Sequence, residues 1–559
     1  MRGSGMRPMN MKQHPISRRH WFILFSVVCI ALFLRLFHLG TIPLGFHVDE
    51  LDAGYIGRYI FTHGRDVYGH IFPLVFDKFG DFRPTGIFYL SGLSVLLFGN
   101  HECAVRLPSA VIGAFTAVAL WYFVLVFFKN RIVALGAAAA LAIMPWHIVL
   151  SRSTSEGIVG LFLIILGFGL IQSAMLPFSK PRLIKGFILL WLSYLFYHSF
   201  RLLVPVFLLP FLFMEKVSFK PQKVMISLWI VSFLLSILCI ATTGISRMNQ
   251  VVLWKNQSIV DTQIILQSID GGARGLTTAV FHSNIVLYTR EFLTQYLSYF
   301  SPDFLFIKGG LPERYVVPHQ GLLLLVFLPF LFIGIGTIIF SRTPARSKFF
   351  LLVWTLLAPL PGALTFEDTP NIHRAIALIV PLAICIGWGI DTIGIWISKA
   401  KRILAGFIVA VIIVLTGFEI DYFFHEYEYH TPAYKSVFRN QGVREMIMYI
   451  FSHKDTYDTV IVPNINEYAL YYAFYKGIYR EIVPGTFRWK LEADTIDSIN
   501  FVGMECPSIH FKRELLIGKR VLFVGEGTCP DSSTPIVKEI TRRDGTKAFE
   551  IRELLPHTQ

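Results

Sequence analysis

The chain has 559 residues, of which 54% are hydrophobic and 16% charged, and its net charge is +14. A mean hydropathy of +0.56 excludes an ordinary soluble protein of this length and indicates a polytopic membrane protein. Much of the basic excess lies in short linkers between apolar segments, so it indicates membrane topology and not nucleic-acid binding.

The N-terminal region combines a basic stretch with an apolar run. Residues 1–20 are predicted to form a basic cytoplasmic N-terminus, which leads into the apolar run 21–40. A secretory signal peptide would have a shorter apolar run and a cleavage site of small residues. This run is long, lacks such a site and precedes many similar segments, so we predict a retained first membrane helix.

Apolar segments that could cross a membrane recur along the chain. We predict about eleven of them, at residues 21–40, 105–128, 132–150, 157–177, 185–199, 202–214, 224–243, 321–341, 348–365, 374–397 and 402–420. The basic linkers, such as 179–185 and 341–348, all fall inside the cell when the chain has eleven helices and an internal N-terminus. The predicted fold class is therefore an all-α polytopic membrane protein.

This topology gives the outer face two long loops and a tail. The loops are residues 41–104 and 244–320, within a membrane domain of residues 21–420, and the tail is residues 421–559. Short apolar runs between charged and turn residues predict that the tail is a small extracytoplasmic α/β domain. The apolar stretch 86–99 is too short for a span and is predicted to be a short helix at the membrane interface.

Two cysteines, Cys506 and Cys529, lie in the tail. They would pair as a disulfide if the tail faces an oxidising compartment, and the sequence leaves this open.

An acidic cluster follows the first apolar segment. The stretch GFHVDELDAGY holds Asp49, Glu50 and Asp52 within four positions. One interpretation is a solvated, salt-bridged loop, and the other is a packed functional group. The neighbouring Gly, Pro and aromatic residues favour packing, because charged residues next to membrane spans cost free energy unless they have partners or a function.

The second outer turn, SRSTSEG, contains Arg152 and Glu156. Their spacing permits an ion pair at a helix start, with Ser153 or Thr154 as the capping residue. In the other interpretation, Glu156 lies beside the carboxylates of the first loop. The sequence does not decide between the two.

Cations are the third feature of the outer face. The segment YHSFR contributes Arg201, and TPNIHRA contributes His373 and Arg374. Such side chains either anchor a protein at the membrane interface or bind the phosphate of a lipid, since guanidinium donors match phosphate oxygens. Lys78 and Arg83 of the first loop are candidates for the same role.

Carboxylates and cations on one face, above apolar helices, predict transfer of a group from a lipid phosphate. A carboxylate can take the proton of an attacking hydroxyl, and cations can stabilise the departing phosphate. A transporter or flippase of lipid-linked sugars is the alternative, but it should carry its charged residues within the helices along a path. A scaffold protein whose tail binds a partner would leave the charged loops unexplained.

Several of these segments resemble one family of membrane enzymes. GFHVDE, FRPTGIFYL, LFGNHECAVRLPSAVIGA and SRSTSEG, in this order, resemble the GT-C membrane glycosyltransferases. The likeness covers residues 20–420 and is strongest to a bacterial branch related to protein O-mannosyltransferases and to the aminoarabinose transferase of lipid A.

The resemblance implies an integral enzyme of the bacterial inner membrane. It would transfer a hexose or pentose, with inversion, from a polyprenyl-phosphate donor to a protein, lipid or glycan acceptor on the extracytoplasmic face. Some members of the family use a divalent metal and others do not, and the sequence shows no clear set of metal ligands. Nucleic acid is not an expected partner.

The resemblance also assigns roles to residues. The first-loop acidic motif supplies the catalytic base, which maps to Asp49, with Glu50 beside it to orient or assist. Glu156 matches the position of a second acid that is often Asp in the family. Arg83 stands where the family has a lysine that contacts lipid phosphate. Asp52, one turn further on, is expected only to pair with an arginine such as Arg58.

Overall fold

A computed structural model describes residues 17–78, 80–175, 177–214, 219–244, 249–270, 275–464, 467–480, 495–497, 499–507, 518–530 and 534–556. The predicted basic N-terminus lies almost entirely outside the described residues. The described part is mostly helical, with a sheet near the C-terminus.

The helices are numbered here in chain order. They are α1 (Arg18–Leu36), α2 (Val48–His63), α3 (Gly86–Phe98), α4 (Glu102–Phe128), α5 (Arg131–Ala142), α6 (Pro145–Arg152), α7 (Glu156–Ser173), α8 (Lys180–Ser193), α9 (His198–Met214), α10 (Phe219–Cys239), α11 (Gln257–Ile269), α12 (Leu276–Phe281), α13 (Asn284–Ser298), α14 (Phe327–Phe340), α15 (Ala345–Leu357), α16 (Leu360–Ala363), α17 (Ile379–Lys399), α18 (Arg402–His425), α19 (Val443–His453) and α20 (Tyr468–Lys476).

Each predicted apolar segment contains a helix, and the third contains the pair α5 and α6, bent by 53°. Six helices of the described residues are long and apolar enough to cross a membrane, or seven when the bent pair counts as one span. The chain is therefore a multi-pass integral membrane protein. The count of eleven spans and the internal N-terminus stay predictions.

The bend between α5 and α6 has a local cause. Pro145 starts α6 because a proline at the first helical position needs no hydrogen-bond acceptor. The carbonyls left free at the end of α5 are satisfied by buried Arg35 of α1, which donates to Ala142 O at 2.9 Å and Leu141 O at 3.3 Å. This junction sets the direction of α6 and of the turn that follows it.

Close helix contacts hold the membrane domain together. A Cβ placed on Gly389 of α17 would lie 1.9 Å from the carbonyl oxygen of Phe330 on α14, so only glycine permits this approach. Small residues at such crossings let helix backbones pack tightly where lipid supplies no hydrophobic driving force.

The first long loop folds over one end of these helices. It contains α2, the hairpin of β1 (Val75–Lys78) and β2 (Asp81–Pro84), and the helix α3. The prediction of a short helix around residues 86–99 is confirmed, since α3 spans Gly86–Phe98.

The tail contains a six-stranded sheet in the order β4–β5–β3–β6–β8–β7. The strands are β3 (Thr459–Pro463), β4 (Thr495–Ile496), β5 (Ile499–Val502), β6 (Val521–Glu526), β7 (Ile536–Thr541) and β8 (Lys547–Leu554). β3 pairs in parallel with β5 and β6, and β8 pairs antiparallel with β6 and β7. The predicted small α/β domain is confirmed, and Cys506 and Cys529 form a disulfide within it.

The tail domain is docked on the first loop by tyrosines of α20 and the residues after it. Tyr471 donates its hydroxyl to the carbonyl of Phe46, just before α2. Tyr475 donates to Glu102 Oε1 at 2.7 Å, at the start of α4. Aromatic side chains with a polar tip suit such contacts, because they bury apolar area and still make a hydrogen bond. The loop and the tail therefore share one hydrophobic core.

The predicted topology can be tested by cysteine labelling. We expect an impermeant thiol reagent to label Lys255→Cys in intact cells, and to label Lys129→Cys only after permeabilisation, because the predicted topology places these two exposed positions on opposite faces. The background carries serine in place of the free cysteines Cys29, Cys103, Cys239 and Cys385. Labelling of both positions from the same side would contradict the topology.

Candidate active site

The acidic stretch of the first loop forms the first turn of α2. His47 is the N-cap, and its ring accepts a hydrogen bond from the backbone N–H of Asp49 at 3.1 Å. Glu50, three residues later, accepts from the backbone N–H of His47, which completes a capping box. Carboxylates in a first turn also suit the positive end of the helix dipole. Burial and the Arg314 charge lower the pKa of His47 to about 3, so the cap is uncharged.

Asp49 lies between two arginines from distant parts of the chain. Its Oδ1 is 2.7 Å from Nη1 of Arg83, and its Oδ2 is 3.1 Å from Nη2 of Arg314. The side chain is 31% exposed, so it stays reachable. Although burial raises the pKa of Asp49, the charges of Arg83 and Arg314 hold it well below its usual range. Asp49 is therefore a carboxylate at neutral pH.

The β1–β2 hairpin brings the first-loop cations to α2. Because side chains alternate along a strand, Phe76 and Lys78 share the buried face of β1. Lys78 pairs with buried Asp52, and its Nζ is 3.1 Å from Oε1 of Glu467 in the tail domain. Asp52 is expected to pair with an arginine such as Arg58. The arginine beside it is Arg83, whose Nη1 lies 3.8 Å from Oδ2, and the hairpin places Lys78 still closer.

Glu50, the neighbour of Asp49 in the acidic stretch, is held by several hydrogen bonds. It accepts from Nε of Arg106 at 2.9 Å, from Nη2 at 2.8 Å and from the backbone N–H of Thr154 at 3.1 Å. Arg106 is fully buried and also donates to the carbonyls of Pro43 and Gly45. Glu50 thus points away from Asp49 and ties α2 to α4 and to the turn before α7.

Glu156 begins α7 on the same side of the molecule. Its charge interacts with those of Asp49, Arg83 and Arg314, so the structure brings the two acids into one cluster. The alternative ion pair with Arg152 is not formed, because Arg152 donates instead to the carbonyls that end α1, Leu34 O and Phe37 O among them. The helix cap is Ser155, and not Ser153 or Thr154.

The predicted cations of the later loops lie in two places. The ring of buried His373 lies 4.8 Å from the ring of Tyr315, tilted by 38°. A Cβ on Gly157 would lie 3.7 Å from Nδ1 of His373, so this residue borders the cluster. Arg374 follows it and is paired with Glu367 at 2.8 Å. Arg201 instead lies between α9 and α10, where it donates to Tyr194 O at 3.1 Å and Thr243 Oγ1 at 2.6 Å.

The sequence did not identify several residues of the cluster. Arg314 and Tyr315 come from the long loop 244–320, and Glu467 and Arg439 come from the tail. An open cleft is lined by Asp49, Arg314, Tyr315 and Arg439, together with the loop before α2 and the turn before α7. The only available signal was the charge of these residues on segments assigned to the outer face.

The arrangement offers a carboxylate base, a second acid and several fixed cations around an open cleft. An anion such as a phosphate would be attracted by the guanidinium groups, and a hydroxyl could reach Asp49. Among the described residues, no group of three His, Cys, Asp or Glu side chains is placed to hold a metal ion.

Comparisons with protein-family models and with curated proteins found no match. Among solved structures, ArnT from Cupriavidus metallidurans is similar in its apo state (TM-score 0.48, 11% identity, 96% of this chain and 98% of that one). ArnT bound to undecaprenyl phosphate is also similar (0.49, 12%, 97% and 100%).

Another similar structure is the archaeal oligosaccharyltransferase AglB from Archaeoglobus fulgidus, in complex with an inhibitory peptide and a dolichol-phosphate. Its TM-score is 0.46 at 13% identity, over 83% of this chain, and the chain spans only 64% of its length. All three TM-scores are below 0.5 and the identities lie between 11% and 13%, so the function must be argued from the residues of the site.

The Glu50–Arg106 pair predicts a large loss of stability. Glu50→Ala would leave a buried guanidinium without its charged partner, which costs about 3–5 kcal/mol. We expect a clearly lower thermal midpoint in detergent. Asp303→Ala is the control, because it breaks an ion pair with Lys308 whose side chains are 57% and 72% exposed, and it should leave the midpoint nearly unchanged. Equal midpoints for the two variants would contradict the role of Glu50.

Glu467 predicts a pH dependence of stability. Burial and the charge of Asp52 raise the pKa of Glu467 from 4.5 to about 8 in the folded protein. The folded state then holds more protons than the unfolded state between these values, so the free energy of unfolding falls as the pH rises through this window. We expect the thermal midpoint to fall less in Glu467→Gln than in the wild type. Glu445→Gln, at an exposed residue, serves as control. A fall of the thermal midpoint of the same size in all three proteins would contradict the role of Glu467.

Proposed function

We propose that this protein is a membrane glycosyltransferase. It transfers a hexose or pentose from a polyprenyl-phosphate-linked donor to a protein, lipid or glycan acceptor, with inversion at the anomeric carbon. The reaction takes place on the extracytoplasmic face of the bacterial inner membrane, where lipid-linked donors and not nucleotide sugars would be presented.

The observation that carries this proposal is the ionised Asp49 at the edge of an open cleft. Its carboxylate is held by Arg83 and Arg314 and is still 31% exposed. A carboxylate that served only to hold the fold together would be covered, as Asp52 and Glu50 are. A partly exposed base between cations suits a reaction in which a hydroxyl loses a proton while a phosphate leaves.

In the proposed reaction, the acceptor hydroxyl oxygen forms a bond to the anomeric carbon of the sugar. The bond from that carbon to the phosphate oxygen breaks, and its electron pair leaves with the polyprenyl phosphate. Asp49 takes the hydroxyl proton, and attack from the side opposite the phosphate inverts the carbon. As the donor phosphate draws Arg314 or Arg83 away from Asp49, the carboxylate becomes more basic.

The other predicted residues receive roles that follow from their positions. Glu156 interacts with Asp49 and would orient the acceptor or sugar. Glu50 positions α2 through Arg106. Arg83, His373 and Arg374 are proposed to contact the donor phosphate, because they border the cluster that contains Asp49.

Two further cations of the predicted phosphate set are supported less well. The charge of Lys78 is balanced by Asp52, and its Nζ also contacts Glu467, so Lys78 would act mainly by fixing the loop. Arg201 lies between α9 and α10 and would meet a phosphate only along the lipid's path.

The orientation of the chain is part of the proposal. We assign eleven spans to residues 21–420, an internal N-terminus, and both the long loops and the tail domain to the outer face. The disulfide in the tail supports this, because such bonds persist in oxidising compartments.

The acids inside the apolar helices argue against a transporter. Glu419 of α18 accepts from the backbone N–H of Val326 at 3.0 Å, next to the start of α14. Asp391 of α17 accepts from the side chain of Asn130 at 2.8 Å, next to the start of α5. Both therefore hold helix ends in place, whereas a flippase would line a path with such groups.

The base can be tested by transfer assays in membranes supplied with labelled polyprenyl-phosphate sugars. We expect Asp49→Asn to lower the rate by about 10²–10⁴-fold, the usual contribution of general base catalysis. Asp77→Asn is the matched control, since Asp77 lies in the same loop and its carboxylate accepts the N–H of Gly80 at the hairpin turn. Full activity of Asp49→Asn at equal protein level would remove Asp49 as the base.

A further inference from the structure

Arg439 is a buried cation that forms no ion pair with a carboxylate of the described residues. It ends the short 3₁₀ turn Ser436–Arg439, which follows the last apolar helix, and it is only 5% exposed. Its Nη2 atom has no hydrogen-bond acceptor among the described residues. A guanidinium normally finds such partners when it is buried, because an unpaired charge in a protein interior costs free energy.

The nearest opposite charge does not satisfy Arg439. The carboxylate of Glu50 interacts with it, but both oxygens of Glu50 are already used by Arg106 and by the N–H of Thr154. Arg106 itself adds a second positive charge beside Arg439. This end of the cleft therefore carries an excess of positive charge.

Arg439 is also held rigidly toward the cleft. Its carbonyl packs so closely on Gly45 that a Cβ there would lie 2.1 Å from the oxygen, and Gly45 has a φ of +89° that favours glycine. Nearby, Lys435 pairs with Glu313, the residue before Arg314. These contacts fix Arg439 relative to both the Asp49 segment and Arg314.

We propose that Arg439 and Arg314 form a phosphate-binding site in the cleft beside Asp49. The segment after the last apolar helix thus supplies a residue of the site. Both side chains line the cleft, and two guanidinium groups present several donors to the oxygens of one phosphate. Ser153 and Thr154 add hydroxyl groups to the same lining.

The phosphate site formed by Arg439 and Arg314 extends the proposed function. It rests on that function only for the identity of the molecule that carries the phosphate. The phosphate belongs either to the lipid donor or to a phosphorylated acceptor. Both have the same chemistry, so binding measurements with two probes separate them.

The test compares Arg439→Met and Arg439→Lys in the full-length protein in detergent. The probes are undecaprenyl phosphate and inorganic phosphate, and binding is measured directly. Arg444→Met is the matched control, because Arg444 lies five residues away with a 55% exposed side chain paired to Glu102. We expect Arg439→Met to weaken binding at least tenfold, Arg439→Lys to weaken it less, and the control to bind as the wild type does.

The thermal midpoint without ligand separates this role from a structural one. A residue that holds the fold together should lower the midpoint when it is replaced, whereas removal of an unpaired buried charge should leave it unchanged or raise it. Loss of undecaprenyl phosphate binding assigns the site to the lipid donor. Loss of inorganic phosphate binding alone assigns it to a phosphorylated acceptor.

Unchanged binding of both probes by Arg439→Met would overturn the site, as would a loss of binding that merely follows a lowered midpoint. Neither readout requires sugar transfer. An inactive protein that still binds phosphate through Arg439 would therefore contradict the proposed function and leave the site standing.

Discussion

The buried ion pair between Glu50 and Arg106 fixes the segment that carries the candidate site. It joins α2 to α4, and through Thr154 it joins both to the turn before α7. Desolvation of two charges is expensive, so such a pair persists only when geometry and further hydrogen bonds compensate, as the carbonyls around Arg106 do here. Because Glu50 is fixed in this way, its neighbour Asp49 faces the cleft with one defined orientation.

The acidic residues of the first loop differ in how their charges are paired. Asp52 has a buried partner, whereas Asp49 has partly exposed ones. Buried Lys78 pairs with buried Asp52 and also contacts Glu467, and the second contact joins the loop to the tail domain. Asp49 is paired with two arginines that remain partly exposed, so a ligand can exchange with it. The tail is therefore part of the site and not an independent appendage.

The sequence predicted the local features well and the distant contacts poorly. The apolar segments, the short helix α3, the sheet domain and the acidic turn followed from composition and spacing. Arg314, Glu467 and Arg439 were missed, because each is a single charged residue far along the chain from Asp49, without a periodic pattern or motif. The Arg152–Glu156 pair was a sound local expectation, but the carbonyls that end α1 compete for Arg152.

The central claim is that a lipid phosphate binds beside Asp49 in the cleft between the first loop and the tail. The most direct measurement is an experimental structure of the protein with undecaprenyl phosphate in a lipid nanodisc. The account predicts phosphate density in hydrogen-bond contact with Arg314 and Arg439, with the lipid chain running down the helices and Asp49 facing the phosphate. Density for the phosphate at Arg201, with the cleft beside Asp49 left to solvent, would contradict it.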